Sequence, residues 1–440
     1  MLTKIYNAAE AQTGILQRKP LHKTSYAPSI LQRTEELFGK GITPPTAVSQ
    51  IIDSVEEGGD QALHHWSKVL DHYSEQDFII QRKSLEQAYK DLSGNLKDTL
   101  HSSAERIRQF HQRQPITSWL TDEMGGQLGQ RFTPIERVGV YVPGGTAPLP
   151  SSLLMSVIPA QVAGVKQIVV CTPPNPHPTI LAAAHICGLD ALYQVGGAQA
   201  IAAMAFGTES VPKVDKIVGA GNLFVTLAKQ QLFGTVGLDG LAGPTETMVI
   251  ADESANARWV AADMLAQAEH DVQASAILLT PSQELAQKVQ AELEKQTLEL
   301  SRKEIISASM TNRGGIVITD SLEQAAQLVN EYAAEHLCLS VADPEALMAT
   351  INNAGGFFLG EHSFEVLGDY VAGPSHIMPT GATARFASPL NVLDFVKLSS
   401  VIALDPATAA ELSISAAKFA QAENLTAHAS AARMRIEDEQ

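Results

Sequence analysis

The sequence predicts an α/β protein: parallel sheets covered by helices, in two related halves, with helical segments at both ends. From Arg137 onward, short β-branched apolar runs alternate with Ala-rich helical runs, as strands buried on both faces of a parallel sheet require. Two of these units, QIVVCTPPNPHPTILAAAHICG and AILLTPSQELAQKVQAELEKQ, both run strand, Thr-Pro, helix, which hints at a repeated architecture. Residues 80–115 instead carry apolar residues three and four apart among polar ones, the spacing of amphipathic helices.

Taken in order, the N-terminal third is expected to be mainly helical. Its first residues, MLTKIYNAAEAQTGILQRK, mix charge and polarity and lack the apolar stretch of an export signal, so a cytoplasmic protein is expected. VGVYV, QIVVCTPP, ALYQVG and KIVGAG read as one series of strands, and MVIAD, AILLTP, GIVITD, HLCLSV and GGFFLG as a second. The uncharged stretch Val138–Val165 exceeds the length of a bilayer span, but prolines and glycines interrupt it, so it reads as a buried turn and core helix. After about Asn391 the pattern returns to helix and ends in a charged tip.

At 440 residues with 45% hydrophobic content the chain can bury substantial cores. A net charge of -17, without a Lys/Arg stripe interleaved with aromatics, argues against nucleic acid as a partner. Cys171, Cys187 and Cys338 are too few and too scattered for a disulfide framework or a four-thiolate zinc site.

Several segments carry chemistry. ADMLAQAEHD sets Gln267 and His270 three apart in a run that reads as helix, so both share a face and could grip one cation. Downstream, NEYAAEHLCL supplies the adjacent acid/base pair Glu335 and His336. LGDYVAGPSHIMPTGATARF supplies Asp369 and His376, and AENLTAH supplies Glu423 and His428, each near Gly, Pro or an element end. Three Gly-rich turns follow strands of the first series: Tyr141–Pro148, Gly196–Ala200 with Gln199, and Gly219–Phe224 with Asn222. Such turns let backbone approach a ligand beyond the carboxyl ends of the strands. No GxGxxG occurs, because Phe224 stands at the third position, and no GxxxxGK[ST] phosphate loop occurs either. The residues alone thus define an α/β enzyme with a candidate metal site and a candidate nucleotide site.

YVPGGTAPLPSSLLM, GGAQAIAAMAFGT, GAGNLFVTLAKQQLFG, GLAGPTETMVIAD, DMLAQAEHD, EYAAEHL, GDYVAGPSHIMPTGATARF and LTAH, in this order over about residues 135–430, closely resemble the L-histidinol dehydrogenase family. The resemblance implies oxidation of L-histidinol through L-histidinal to L-histidine, the last two steps of histidine biosynthesis, with two NAD reduced in turn and one zinc per subunit. It implies Gln267, His270, Asp369 and His428 as zinc ligands, with His428 reaching in from the partner subunit of a homodimer. Glu335 and His336 are implied as the acid/base residues. Thr245, Gln267, His270, His336, Asp369, His376, Glu423 and His428 fall where the family contacts substrate, and Tyr141, Gln199 and Asn222 where it contacts NAD. The implied fold is a pair of incomplete Rossmann-like domains. Residues 1–30 are expected to pack with the first of these, and 31–134 to form a helical part of the second α/β domain. Residues 135–240 are then the NAD-binding domain, 241–388 the domain with zinc and catalytic residues, and 389–440 a helical dimerisation segment. Thr245 stands where the family commonly has Ser, keeping the hydroxyl and adding a methyl; Asn424 stands where Gly often occurs and still permits a left-handed backbone.

Two other readings compete. A paralogous zinc and NAD dehydrogenase acting on another small primary alcohol would keep the Glu-His pair but could dispense with His376, Glu423 and His428, all present here. A non-catalytic binding protein would not need the acid, the base and all four presumptive ligands together.

Overall fold

The computed structural model describes residues 3–18, 26–75, 77–144 and 147–437. It divides into two units, Met1–Arg113 with Glu136–Asp394, and Gln114–Ile135 with Phe395–Gln440. In chain order the strands are β1 (Ile5–Asn7), β2 (Ile79–Gln81), β3 (Trp119–Thr121), β4 (Gly126–Pro134), β5 (Arg137–Tyr141), β6 (Gln167–Thr172), β7 (Ala191–Gln194) and β8 (Lys216–Val218). They continue with β9 (Gly237–Leu238), β10 (Glu246–Ala251), β11 (Ser275–Thr280), β12 (Gly315–Ile318), β13 (His336–Ser340), β14 (Gly356–Leu359) and β15 (Val396–Leu404).

The larger unit holds two six-stranded sheets, ordered β2-β7-β6-β5-β8-β9 and β1-β12-β11-β10-β13-β14. All pairings are parallel except that of β2 with β7. Each sheet starts at a central strand, β5 or β10, runs outward through two more, then returns to the other side of that strand. This reversal is the topological switch of a doubly wound sheet. The Thr-Pro echo in the sequence falls on equivalent positions, since β6 and β11 are each the second strand of their series. The strands read as continuous apolar runs because both faces are covered: Met248, Ile250, Ile277 and Leu279 enter one core, while Val249, Ala251, Ala276 and Leu278 enter the opposite one.

Three domain expectations change. β1 pairs with β12, so the N-terminal strand joins the second sheet rather than the first. The helix Pro44–Asp71 packs Val48, Ile51 and Leu63 with Ala200, Ile201 and Met204 of the helix Gly197–Phe206, so the early helices cover the first sheet. The C-terminal segment is not wholly helical. In the smaller unit β15 pairs antiparallel with β4 along nine residues, next to β3, before the helices Pro406–Ala422 and Thr426–Glu437. The uncharged stretch behaves as expected: the helix Pro150–Val162 is buried from Ser151 to Ala160, and among the described residues no helix is long and apolar enough to cross a membrane.

Candidate active site

The catalytic candidates gather in the larger unit at the amino ends of β10 and β13. Thr245 immediately precedes β10, Glu335 immediately precedes β13, and His336 is the first residue of β13, in register with Thr247. Gly355 allows this close approach: a Cβ there would stand 2.5 Å from the Glu335 carbonyl oxygen. At the opposite, carboxyl ends of the same strands Asp252 and Ala342 line a cavity beside the helix Leu322–Tyr332. Asp252 accepts from Ser254 N at 2.9 Å and Ser254 Oγ at 2.5 Å through Oδ1, and from Ala342 N at 2.9 Å through Oδ2.

Glu335 and His336 are both buried. The Glu335 carboxyl accepts from Thr245 Oγ1 at 2.6 Å and from Glu246 N at 3.0 Å. Burial nonetheless pushes it up to about 8, against the opposing pull of these hydrogen bonds. Burial likewise pushes His336 down to about 3, so its ring is neutral at neutral pH. Its Nδ1 lies 3.5 Å from Glu335 Oε2, and its Nε2 lies 3.9 Å from Asp369 Oδ1.

Gln267 is buried at the end of the helix Ala257–Ala268, and its Oε1 stands 2.9 Å from Thr245 Oγ1. The single Thr245 hydroxyl therefore sits between Gln267 and Glu335. Contrary to the expectation of one continuous helix, His270 lies just past the helix end; its N–H still donates to the Gln267 carbonyl at 3.1 Å, which keeps the pair one turn apart. His270 is exposed, yet burial of its ring among neighbours that include His336 and His376 holds it below the ordinary imidazole range. Burial raises Asp369, on the helix Glu365–Tyr370, to about 6. His376 is half-buried, with Nε2 3.0 Å from Ser152 Oγ and Nδ1 2.9 Å from the Asp369 carbonyl; burial pushes it down to about 4. Both of its nitrogens thus have protein partners, and the ring fixes the backbone that carries Asp369.

An amide oxygen, an imidazole and a carboxylate are hard and borderline donors that suit a zinc ion. Among the described residues no three His, Cys, Asp or Glu gather as a metal site, and of Gln267, His270 and Asp369 only the last two are of those types. Glu423 and His428 belong to the smaller unit, exposed around the turn between its two long helices, where Asn424 takes the left-handed φ of +59°. The three cysteines are buried and free.

The cofactor candidates stand at the carboxyl ends of the first sheet's strands: Tyr141 is the last residue of β5, Gln199 follows β7, and Asn222 follows β8, which neighbours β5 at the switch point. Gly219, at φ +110°, comes so close to β5 that a Cβ would stand 2.2 Å from the Tyr141 carbonyl oxygen. Tyr141 and Gln199 are buried and already engaged: Tyr141 Oη accepts from Gly197 N at 3.1 Å, and Gln199 Nε2 donates to Asp71 Oδ2 at 2.9 Å. Asn222 Oδ1 caps the helix Leu223–Leu232 by accepting from Phe224 N and Val225 N. Gly145 and Thr146 of the first Gly-rich turn lie outside the described residues.

Some neighbours escaped the sequence reading. Arg18 forms a two-pronged pair with Glu246, beside Thr245, and stacks 3.6 Å over the Tyr332 ring. Glu365 is fully buried against Thr247. Its only sequence signal is the four-residue step to Asp369 on one short helix.

Two doubly wound sheets with a buried glutamate–histidine couple define the class, an α/β enzyme equipped for proton transfer. A model of the histidinol dehydrogenase family matches residues 42–436. Curated histidinol dehydrogenases of Thermus thermophilus, 50% identical over 87% of this chain and 92% of that protein, and of Deinococcus radiodurans, 46% identical over 98% and 100%, are similar to it. The crystal structure of histidinol dehydrogenase from Elizabethkingia anophelis superposes with a TM-score of 0.90 at 35% identity, covering 100% of this chain and 98% of that one. The chain belongs to the histidinol dehydrogenase family, a family of oxidoreductases.

Proposed function

We propose that the protein oxidises L-histidinol through L-histidinal to L-histidine in two successive NAD-linked steps at one site. The observation that carries this reading is the buried Glu335–His336 couple, in which Thr245 and the Glu246 N–H hold the carboxyl while His336 stays neutral. In the first step His336 Nε2 takes the hydroxyl proton of the alcohol as its carbinol hydrogen leaves with an electron pair. In the second, once His336 has released its first proton, the ionised form of Glu335, which a value of about 8 makes available at alkaline pH, takes a proton from the water that adds to the aldehyde, and His336 again takes the hydroxyl proton of the hydrate. NAD, when bound, supplies the hydride acceptor for both oxidations. Gln267, His270 and Asp369, with His428 of a second copy, would hold one zinc ion, whose contribution is to orient the substrate's imidazole and amine. Thr245, His376 and Glu423 complete the substrate contacts, and Tyr141, Gln199 and Asn222 mark the cofactor side of the first sheet.

The shared site makes the working form a homodimer. The smaller unit supports this with exposed apolar side chains on its strand and helix, among them Leu398, Ile402, Leu412 and Phe419, with Ile402 and Phe419 each 73% exposed. The test is to mix zinc-loaded enzyme with NAD and L-histidinol, quantify NADH and L-histidine at completion, and repeat after chelation and with an imidazole-free amino alcohol. Two NADH per histidine, lost on chelation and absent with the analogue, is the expected result. NADH from the analogue but not from histidinol would refute the reading in favour of another alcohol.

A further inference from the structure

His336 presents its two nitrogens to different surroundings. Nε2 faces Asp369, on the side of the proposed ligands, while Nδ1 faces inward, where Glu365 Oε1 lies 3.4 Å away and Glu335 Oε2 3.5 Å away. The Glu246 carbonyl is also near the ring. Neither ring nitrogen has a hydrogen-bond partner within the described residues, although the ring is 3% exposed. A buried nitrogen in that state costs free energy, and a base whose ring can rotate loses reaction geometry.

The two carboxyls are not equivalent. Glu335 is already occupied by Thr245 Oγ1 and Glu246 N, which hold it for its own task. Glu365 is fully buried, and its hydrogen-bonding neighbours are Thr247 Oγ1, 3.0 and 2.8 Å from its two oxygens, and the Cys338 thiol, 3.9 Å away. Thr247 sits opposite His336 in the β10–β13 ladder, so the residue that seats Glu365 is in register with the residue that Glu365 faces. Gly368, on the same short helix, lets this helix approach closely; a Cβ there would meet the Phe358 ring at 2.6 Å, and that ring lies 5.8 Å from the His336 ring.

We propose that Glu365, seated by Thr247, is a positioning residue: it holds the His336 ring through Nδ1 and so commits Nε2 to the reacting hydroxyl. The proposal rests on His336 being the base. Glu365 touches neither substrate nor cofactor, forms no bond to them, and leaves the proton with His336. The arrangement matches the general rule that a catalytic imidazole is oriented by a carboxyl on its far nitrogen.

The test compares Glu365→Gln, Thr247→Val and Thr247→Ser with His336→Gln in the zinc-loaded full-length protein, measuring kcat, KM for L-histidinol and bound metal. Glu365→Gln and Thr247→Val are expected to lower kcat about 10–100-fold, the usual effect of losing a group that orients a ligand or base from behind. KM and metal content should stay within about twofold, and Thr247→Ser should restore kcat, a pattern that general loss of structure does not produce. Unchanged kcat in Glu365→Gln and Thr247→Val, with His336→Gln inactive, overturns the role of Glu365 alone. Parallel loss of KM and metal binding overturns it in favour of a packing role. Full activity in His336→Gln overturns the acid/base reading on which it stands.

Discussion

Lys229→Met tests whether the turn proposed to cradle the cofactor is held by a buried charge. Lys229 is 2% exposed, and its ammonium donates to Asp239 Oδ1 at 2.5 Å and to the Gly219 carbonyl at 2.9 Å. Asp239 in turn accepts from Gly219 N at 2.7 Å and Gly240 N at 2.8 Å. One ion pair therefore ties both ends of the Gly219 peptide unit to the sheet. Methionine keeps the length and most of the volume, so little cavity forms, and the loss is electrostatic. Removing one partner of a buried pair costs about 3–5 kcal/mol, and the two N–H donors left on Asp239 place this case near the lower figure, ~3 kcal/mol. Urea unfolding should show that loss as a lower midpoint, and KM for NAD should rise while KM for L-histidinol holds. Adding Asp239→Asn should recover part of the stability, because a neutral pair leaves no uncompensated charge. A change below ~1 kcal/mol, or no recovery in the double variant, would refute the reasoning.

Further outcomes follow from single contacts. Gly219→Ala should destabilise by about 2–4 kcal/mol by denaturant titration, because φ is +110° and the new Cβ would stand 2.2 Å from the Tyr141 carbonyl oxygen. Asp71→Leu removes the carboxylate that accepts from Gln199 Nε2 at 2.9 Å, and should raise KM for NAD about tenfold without moving KM for L-histidinol. Asp263 is raised by burial, and secondarily by Glu361, from 3.8 to about 7. Below pH 4 the group is protonated in both folded and unfolded chains; between about 4 and 7 the unfolded chain ionises first, so stability falls as pH rises. Asp263→Asn should therefore raise the melting temperature at pH 8, by the equivalent of about 1–2 kcal/mol, and leave it nearly unchanged at pH 4.

The strands of both sheets were legible because burial on two faces makes a parallel strand apolar throughout, as SAILLT of β11 is. β1 was not, since three residues give no periodicity and its partner β12 lies some three hundred residues on. β15 was read as helix for a related reason. VKLSSVIAL is mostly exposed in its unit, and its strand character comes from pairing with a segment far back in the chain. In the site, the larger unit brings together Thr245, Gln267, Glu335, His336 and Asp369, with His376 bonded to the Asp369 carbonyl and His270 one turn from Gln267. Glu365 escaped notice because complete burial of a glutamate is a property of packing, and nothing in FEVLGDY marks it apart from Asp369.

The two sheets share one winding, and the proposed cofactor and proton-transfer groups lie at opposite ends of their strands. In the first sheet Gly219, where a Cβ would stand 2.2 Å from the Tyr141 carbonyl oxygen, lets the turn after β8 lie against the end of β5. In the second, Asp252 ties the end of β10 to Ala342 beyond β13, and both line a cavity there. The groups proposed for proton transfer lie at the amino ends, where Thr245 and Glu335 immediately precede β10 and β13 and His336 begins β13. Ser152 connects these ends: it lies on the helix that follows β5, and its hydroxyl meets His376, whose other nitrogen meets the Asp369 carbonyl. The helix after β5 is thereby hydrogen-bonded, through His376, to the backbone of a proposed metal ligand. One winding thus carries the proposed cofactor crevice at the carboxyl ends of the first sheet and the proposed acid/base pair at the amino ends of the second.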